Sequence, residues 1–201
     1  MMGASSLRRA VFLDRDGVIN RMLYNPDFGL LDSPQNTDQF DLVPGAPKAI
    51  RLINEMGFVC VVVSNQPGIA KGKYTPAILE SVTDKMHRLL AENGARLDGV
   101  YYCLHHPEAL LEEYRVTCDC RKPRPGLILR AAADMGIDLG ASFMVGDGLT
   151  DILAGKTAGC TTILLGNRKC EMCQMMDEFG IRPDVLADDI VQCAELIGSS
   201  L

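Results

Sequence analysis

The sequence predicts a doubly wound, Rossmann-like α/β fold built on a parallel β-sheet. The first observation is that short apolar runs, most of them rich in Val or Ile, alternate with stretches whose apolar residues follow helical spacing. The second is that these runs are apolar along their whole length, as expected for strands of a parallel sheet covered on both faces. The length of 201 residues fits one domain, which we place at residues 1–201.

Five strands and four helices are predicted in alternation. The strands cover residues 10–13, 59–63, 99–103, 142–145 and 161–164. The helices cover residues 46–55, 76–93, 126–135 and 150–157. A glycine follows each helix within two residues, which is a common way for a helix to end: Gly57, Gly94, Gly136 and Gly159.

Two segments interrupt this alternation. Residues 21–43 are polar and contain two prolines, and we predict an inserted flap or loop beside the first strand. Residues 103–125 are also irregular and contain a cluster of cysteines and histidines. Loops of this length inside a compact domain are often functional, so both segments are candidates for a functional site.

Charge and hydropathy exclude two classes of partner. The formal net charge is −6, whereas a protein that grips a nucleic-acid backbone usually presents a basic face, so we expect no nucleic-acid partner. No apolar run approaches the roughly 20 residues that span a bilayer, so we expect no membrane partner. The apolar run near the N-terminus is too short for a signal peptide, and we expect a cytoplasmic protein.

Acidic residues follow the predicted strands where a parallel sheet binds its ligands. Asp14 and Asp16 come after the first strand and point to one side, because side chains alternate in an extended chain. Asp147 follows the fourth strand, and Asp151 lies one helical turn later. Crowded carboxylates repel unless a cation neutralises them, and oxygen ligands with an anionic substrate favour Mg²⁺. Ser64, after the second strand, offers a hydroxyl to a phosphate oxygen.

Each of these residues also has a purely structural interpretation. Asp14 and Asp16 could form an Asx turn or cap a helix after the strand. Ser64 could be an ordinary turn residue, and Asp151 could be a solvated acid in the first turn of a helix.

The cysteines and histidines of the second loop have zinc-site spacing. Cys103 and His105 form one close pair, Cys118 and Cys120 form another, and a loop separates the pairs. Four such ligands complete a tetrahedral site with no open position, so the zinc would be structural. His106 is the alternative to His105, and free thiols in a mobile loop are the alternative to a metal.

The position of this cluster suggests its purpose. Cys120 directly precedes Arg121 and Lys122, so a zinc ion would pin the loop that presents these two cations. Cys170 and Cys173 have no second ligand pair nearby, and we predict ordinary thiols on a helix. The remaining cysteines are predicted to pack in the core or on a helix: Cys60, Cys160 and Cys193.

The chain resembles the haloacid dehalogenase (HAD) superfamily of phosphatases. Four motifs of that superfamily occur in order: Asp14-x-Asp16-Gly17, Ser64, Lys122 and Gly146-Asp147-x-x-x-Asp151. They span almost the whole chain, and four motifs in order at strand ends form a specific signal. The resemblance implies a HAD-like fold, and the narrower resemblance given below implies a minimal cap that leaves substrate choice to short loops.

The resemblance also implies a role for each motif residue. Asp14 would attack phosphorus and form an aspartyl phosphate. Asp16 would protonate the leaving oxygen and then activate water. Ser64 and Lys122 would neutralise charge on the phosphoryl oxygens. The implied Mg²⁺ ligands are Asp14, the backbone carbonyl of Asp16, Asp147 and, as a further candidate, Asp151.

A narrower resemblance is to the heptose-1,7-bisphosphate 7-phosphatases and the related histidinol-phosphate phosphatases. Three segments carry it: YYCLHHP at 101–107, CDCRKPRPG at 118–126 and SNQPGIA at 64–70. It implies that Asn20, Asn65, Gln66 and Arg121 contact the substrate. The implied substrate is D-glycero-D-manno-heptose 1,7-bisphosphate, which would lose its 7-phosphate in lipopolysaccharide precursor biosynthesis. Two departures from the heptose enzymes are the longer segment 21–41 and Gly148, where a Lys is common.

Other functions are weighed against this one. Histidinol phosphate, or another small phosphorylated metabolite, is the alternative substrate. An enzyme for histidinol phosphate needs an acid for the amine, and Asp27, Asp32 or Asp38 could supply it. A phosphotransferase would need a larger cap, and an inactive binding domain would not need this set of acids. The resemblance and the lack of an interface stripe lead us to expect a monomer.

Overall fold

A computed structural model describes residues 7–25, 29–166 and 170–200 and contains a six-stranded parallel sheet. The order across the sheet is β5-β4-β1-β6-β7-β8, and β2 and β3 form a separate antiparallel hairpin. The strand bounds are β1 Ala10–Leu13, β2 Leu23–Asn25, β3 Leu30–Asp32, β4 Val59–Asn65, β5 Gly99–Cys103, β6 Phe143–Gly146, β7 Thr161–Leu165 and β8 Val185–Ala187.

Within the described residues, six α-helices connect or flank these strands. Their bounds are α1 Ala46–Glu55, α2 Pro76–Ala91, α3 Gly126–Met135, α4 Leu149–Ala158, α5 Cys170–Phe179 and α6 Ile190–Ser199. Without the hairpin, the strand order is that of the Rossmann fold, with the chain winding outward from β1 in both directions. The predicted doubly wound class is therefore confirmed.

The sheet is covered on both faces, which explains why its strands are apolar throughout. Val11 and Leu13 of β1 pack into one core with α1, α2 and α6. Ala10 and Phe12, on the opposite face of the same strand, pack with α3 and α4. Successive side chains of a strand point to opposite faces of the sheet, and helices cover both faces. All four side chains are therefore fully buried.

The register of the central strands positions the site. Leu13 of β1 pairs with Val62 of β4 on one side and with Val145 of β6 on the other. The carboxyl ends of these three strands therefore meet at one edge of the sheet, where ligands bind in open α/β folds.

The predicted strands and helices are confirmed, with differences of one or two residues at several ends. The sequence analysis did not predict β2, β3 or β8, because strands of three residues are too short to show a clear pattern. The hairpin of β2 and β3 lies in the predicted insert 21–43. Among the residues that the structure describes, no helix is both long enough and apolar enough to cross a membrane.

Candidate active site

The carboxyl ends of β1, β4 and β6 bring together four of the predicted site residues. Asp14 follows β1, and its backbone N–H donates to Val145 O over 3.0 Å, which ties the start of the loop to β6. Ser64 lies near the end of β4 and is buried, and Asp147 follows β6. Lys122, from the loop between β5 and α3, has its Nζ atom 3.0 Å from Asp14 Oδ1.

Three of the predicted magnesium ligands form an acidic cluster. Asp14, Asp147 and Asp151 each offer a carboxylate oxygen, and these oxygens lie within 4.8 Å of one another. Burial, and then the charges of Asp14 and Asp151, raise the pKa of Asp147 to about 7. The cluster thus carries negative charge that the protein does not fully compensate, and its oxygen donors suit a hard cation such as Mg²⁺.

Gly17 keeps this cluster open. Its φ angle is +83°, a left-handed conformation that favours glycine. A Cβ atom there would lie 2.0 Å from Asp147 Oδ2, inside the space of the carboxylate. The glycine after the two aspartates is therefore required both by the turn and by the close approach of Asp147.

Lys122 is buried between two carboxylates. Its Nζ lies 3.0 Å from Asp14 Oδ1 and 2.5 Å from Asp151 Oδ1. Burial alone would lower the pKa of Lys122, but the charges of Asp14 and Asp151 outweigh it and hold this pKa above its ordinary value. Asp151 Oδ2 accepts the N–H of Gly148 at the start of α4. Both Asp151 oxygens thus have protein partners, and its role as a magnesium ligand stays a prediction.

Asn65 fixes the backbone of Lys122. Its Oδ1 accepts the Lys122 N–H over 3.0 Å, and its Nδ2 donates to the Lys122 carbonyl over 3.1 Å. Both ends of the amide thus hold the backbone of Lys122 in place, and the substrate contact of Asn65 stays a prediction.

The Asp16 carboxylate accepts hydrogen bonds on both oxygens. Arg15, which is fully buried, reaches it through Nε and Nη2 at 3.1–3.3 Å. Asn20 Nδ2 donates over 2.9 Å, Gln66 Nε2 over 2.6 Å and Ser33 Oγ over 2.9 Å. Burial pushes the pKa of Asp16 upward, but the Arg15 charge and these hydrogen bonds outweigh it and hold the pKa below its ordinary value.

Asn20 and Gln66 are also committed to internal contacts. Both are fully buried, and the Gln66 amide links Asp16 to Ser64 Oγ, which lies 3.2 Å from Nε2. The other end of that amide accepts the hydroxyl of Tyr74 over 3.1 Å. Neither side chain has an exposed surface, and among the described residues Asn20 Oδ1 has no hydrogen-bond partner, so the substrate contacts of Asn20 and Gln66 stay a prediction.

Arg121, like Asn65, is partly exposed. It lines a cleft of about 210 Å³ together with Arg124 and Lys122. Its Nη1 donates to the His105 carbonyl over 3.3 Å, which leaves other guanidinium donors for an anion. A second cavity, of about 340 Å³, opens beside Asp147 and Gly17.

The predicted zinc ligands lie together. Cys103 Sγ is 3.6 Å from Cys118 Sγ and 3.3 Å from Cys120 Sγ, and His105 Nδ1 is 3.3 Å from Cys120 Sγ. Zn–S bonds of about 2.3 Å put tetrahedral sulfur ligands about 3.8 Å apart, so the set fits a zinc ion. His106 Nδ1 instead accepts the N–H of Glu108, which disfavours His106 as the fourth ligand.

The sequence analysis missed some residues of the site, and some residues that it named lie outside the described part of the chain. The sequence analysis assigned no role to Arg15 or Ser33, although a charged residue two positions after a buried strand, as Arg15 is, could have been noted. Asp32 forms an ion pair with Lys73, and Asp38 is exposed. Asp27 and the side chain of Cys170 lie outside the described residues, whereas Cys173 is described as a half-buried free thiol.

The Rossmann strand order, the aspartates at the carboxyl end of β1 and the lysine between two carboxylates define a HAD-like phosphatase. Residues 119–193 match the HAD-hydrolase-like family model. The chain belongs to the family of the D-glycero-beta-D-manno-heptose-1,7-bisphosphate 7-phosphatases. It is 46% identical over 156 residues to the enzyme of that name from Escherichia coli (strain K12), an alignment that covers 78% of each chain. Identity to the Salmonella typhi relative is 45%, over 78% of this chain and 79% of that one.

Solved structures show the same likeness. A crystal structure of D,D-heptose 1,7-bisphosphate phosphatase from B. bronchiseptica, complexed with magnesium and phosphate, matches with a TM-score of 0.78 and 29% identity. That match covers 96% of this chain and 99% of the other. A HAD-like phosphatase from Mesorhizobium loti also matches with a TM-score of 0.78 and 29% identity, over 96% of this chain and 86% of the other.

Proposed function

We propose that this phosphatase uses Mg²⁺ to hydrolyse D-glycero-D-manno-heptose 1,7-bisphosphate at the 7-phosphate, through an aspartyl phosphate on Asp14. The observation that carries the proposal is the convergence of Asp14, Lys122 and Asp147 at the carboxyl end of the sheet. It supplies a nucleophile, a buried cation and an acidic cluster suited to a metal. The substrate follows from the relatives that the chain resembles over most of its length.

Asp14 is held in place for attack. The Arg15 N–H donates to Asp14 Oδ1 over 2.7 Å, and Lys122 Nζ lies 3.0 Å from the same oxygen. These contacts orient the carboxylate so that Oδ2 forms the new O–P bond while the bond from phosphorus to the leaving oxygen breaks. Lys122 and Ser64 then lie beside the phosphoryl group, where a cation and a hydroxyl stabilise the charge on its oxygens.

Asp16 handles the proton in both half-reactions. In the first, the negative charge of the bound phosphate opposes the lowering of the Asp16 pKa and favours its protonated form, which gives a proton to the leaving sugar oxygen as the aspartyl phosphate forms. In the second, its carboxylate takes a proton from the water that attacks phosphorus, which releases phosphate and restores Asp14. Because Asp16 holds four hydrogen-bonding partners in the structure, its position is set before the substrate arrives.

Two metal ions complete the proposal. Asp14, the backbone carbonyl of Asp16 and Asp147 would hold Mg²⁺, with Asp151 beside them. When bound, Mg²⁺ supplies positive charge against the phosphoryl oxygens and the crowded carboxylates. Zn²⁺ would be held by Cys103, His105, Cys118 and Cys120 and would fix the loop that carries Arg121 and Lys122.

The heptose substrate is preferred to histidinol phosphate on two further observations. Asp32, one of the acids considered for the histidinol amine, is already paired with Lys73. The guanidinium of Arg121, beside Arg124 in its cleft, suits a second phosphate better than an amine. A role in lipopolysaccharide precursor biosynthesis, a cytoplasmic location and a monomeric state belong to the same proposal.

A panel of phosphate esters assayed with Mg²⁺ tests the function. We expect selective turnover of the heptose bisphosphate, with phosphate released from C7. Selective turnover of histidinol phosphate would reverse the substrate ranking. Asp14→Asn should reduce kcat by about a thousandfold or more, because the amide is a poor nucleophile, while the exposed Asp38→Asn keeps full activity. Near-normal turnover by Asp14→Asn would refute the nucleophile assignment.

A further inference from the structure

The inserted segment 21–43 reaches the acid that the proposed mechanism uses for proton transfer. Ser33, directly after β3, donates from Oγ to Asp16 Oδ2 over 2.9 Å. The Gln66 amide donates to the same oxygen, and the Asn20 amide donates to Oδ1. Among the contacts of the described residues to this carboxylate, Ser33 is the one that comes from the insert.

The Ser33 hydroxyl differs chemically from the other partners of Asp16. The N–H groups of Arg15, Asn20 and Gln66 can only donate, whereas a serine hydroxyl can donate or accept. When Asp16 carries a proton on Oδ2, Ser33 Oγ can accept a hydrogen bond from it, which the Gln66 N–H groups cannot do. Ser33 can therefore hold the carboxyl group in both of the forms that the reaction requires.

A latch holds Ser33 against the rest of the fold. The preceding residue, Asp32, forms a partly buried ion pair with Lys73 in the connection between β4 and α2. The same carboxylate accepts the backbone N–H of Ser33 over 2.9 Å, which fixes the turn that aims the hydroxyl. A second tether lies further along the insert, where Lys85 Nζ of α2 donates to Thr37 O over 2.8 Å.

We propose that Ser33 is a positioning residue for Asp16 and that the Asp32–Lys73 ion pair is the latch that holds Ser33 in place. The inference rests on the proposed function, in which the bond from phosphorus to the leaving oxygen breaks while the Asp14 O–P bond forms. The proton of Asp16 moves to the leaving oxygen in that step. Ser33 is not consumed, and it keeps the carboxyl group aimed while the proton is present and after it has left.

The dependence on leaving group separates positioning of the acid from a general structural role. The C7 alkoxide of the heptose needs a proton in order to leave, whereas p-nitrophenolate does not. With Mg²⁺ present, we expect Ser33→Ala to lower kcat/KM about tenfold for the heptose bisphosphate, through kcat, and to change it little for p-nitrophenyl phosphate. Ser33→Thr should restore most of the loss because it restores the hydroxyl.

Thr37→Ala is the matched control, since it removes a hydroxyl from the same segment. An equal loss on both esters, or a Ser33→Ala variant as active as Thr37→Ala, would overturn the positioning role. If the wild-type protein hydrolyses neither ester, the proposed function fails and the inference fails with it. If the wild type is active and Ser33→Ala matches the control, only the inference fails.

A double-mutant cycle tests the latch. Lys73→Met should give a smaller loss than Ser33→Ala on the heptose bisphosphate, and the double variant should be no slower than Ser33→Ala alone, because both changes act through one contact. Fully additive losses would overturn the latch. Thermal unfolding of each variant checks the fold, and should Ser33→Ala unfold, the Ser33→Thr and Lys73→Met variants carry the test with the same two esters.

Discussion

Asn65 forms two hydrogen bonds with the backbone of Lys122: its Oδ1 accepts the Lys122 N–H at 3.0 Å, and its Nδ2 donates to the Lys122 carbonyl at 3.1 Å. These bonds join the end of β4 to the loop that follows β5, across 57 positions of sequence. They place Lys122 Nζ beside Asp14, where a cation is needed during phosphoryl transfer.

Loss of the two hydrogen bonds between Asn65 and Lys122 should lower the activity more than the stability. We expect Asn65→Ala to lower kcat by about 10- to 100-fold with little change in KM, because a small displacement of Lys122 weakens stabilisation of the transition state. Steady-state kinetics on the preferred ester measure the effect. Asn93→Ala, which removes an exposed amide at the end of α2, is the control. A loss confined to KM would contradict the positioning role of Asn65.

Magnesium should stabilise the folded protein through Asp147. A cation that binds the folded state alone, at 100 times its Kd, adds about 2.7 kcal/mol to the free energy of unfolding. Thermal unfolding with and without Mg²⁺ should show this rise in the wild type and lose it in Asp147→Asn. A variant that still responds fully would move the metal site away from Asp147.

The same variant should be more stable than the wild type when no metal is present. Burial and acidic neighbours raise the pKa of Asp147 to about 7. Above that pH the Asp147 carboxyl group is ionised in the folded protein, which lowers the free energy of unfolding. At pH 8 we expect Asp147→Asn to gain on the order of 2 kcal/mol in free energy of unfolding over the metal-free wild type. The gain should shrink as the pH falls below 7, where the wild-type carboxyl group takes up its proton.

The cysteine cluster should contain about one zinc ion per chain, because it offers one set of four ligands. Cys118→Ser should lose that metal, as measured by elemental analysis. It should also lose activity, because the loop that positions Lys122 is then unpinned. Cys173→Ser is the matched control, since this thiol lies outside the cluster, and it should retain both metal and turnover. Active, folded wild-type protein without zinc would refute the structural role.

Asp184 should stabilise the sheet in a pH-dependent way. Its carboxylate accepts the N–H and hydroxyl of Thr162 at 2.8 and 2.6 Å, and Lys156 Nζ at 2.7 Å, which ties the segment before β8 to β7. Burial opposes ionisation, but these partners together outweigh it and lower the pKa of Asp184. A depressed pKa adds stability that is present above the unfolded value, about 3.9 for Asp, and is lost as the pH falls through the folded value.

Asp184→Ala should therefore lower the free energy of unfolding by about 1 kcal/mol at pH 7, a modest value because the side chain is 41% exposed. Urea denaturation between pH 7 and pH 3 should show the difference from wild type narrowing at the acid end. Asp177→Ala, which breaks an ion pair between two well-exposed side chains, should have a smaller effect at every pH. A difference that grows towards low pH would contradict the assignment.

The sequence by itself determined the strands, the acidic site and the metal cluster. Short apolar runs are a local signal, so β1, β4, β5, β6 and β7 could be placed without long-range information. Because parallel strands end at one edge, Asp14, Ser64 and Asp147 could be expected to meet there. The spacing of Cys103, His105, Cys118 and Cys120 indicated a four-ligand set that the structure brings together.

Only the tertiary structure decided which polar side chains hold others in place. Asn20, Asn65 and Gln66 look alike in sequence, but Asn20 and Gln66 are buried against Asp16, and Asn65 bonds to Lys122, which is distant along the chain. The contact of Ser33 with Asp16 arises because an ion pair anchors a short hairpin, and neither feature leaves a periodic pattern. The orientation of a polar group depends on the donors and acceptors that surround it, and the fold alone brings those together.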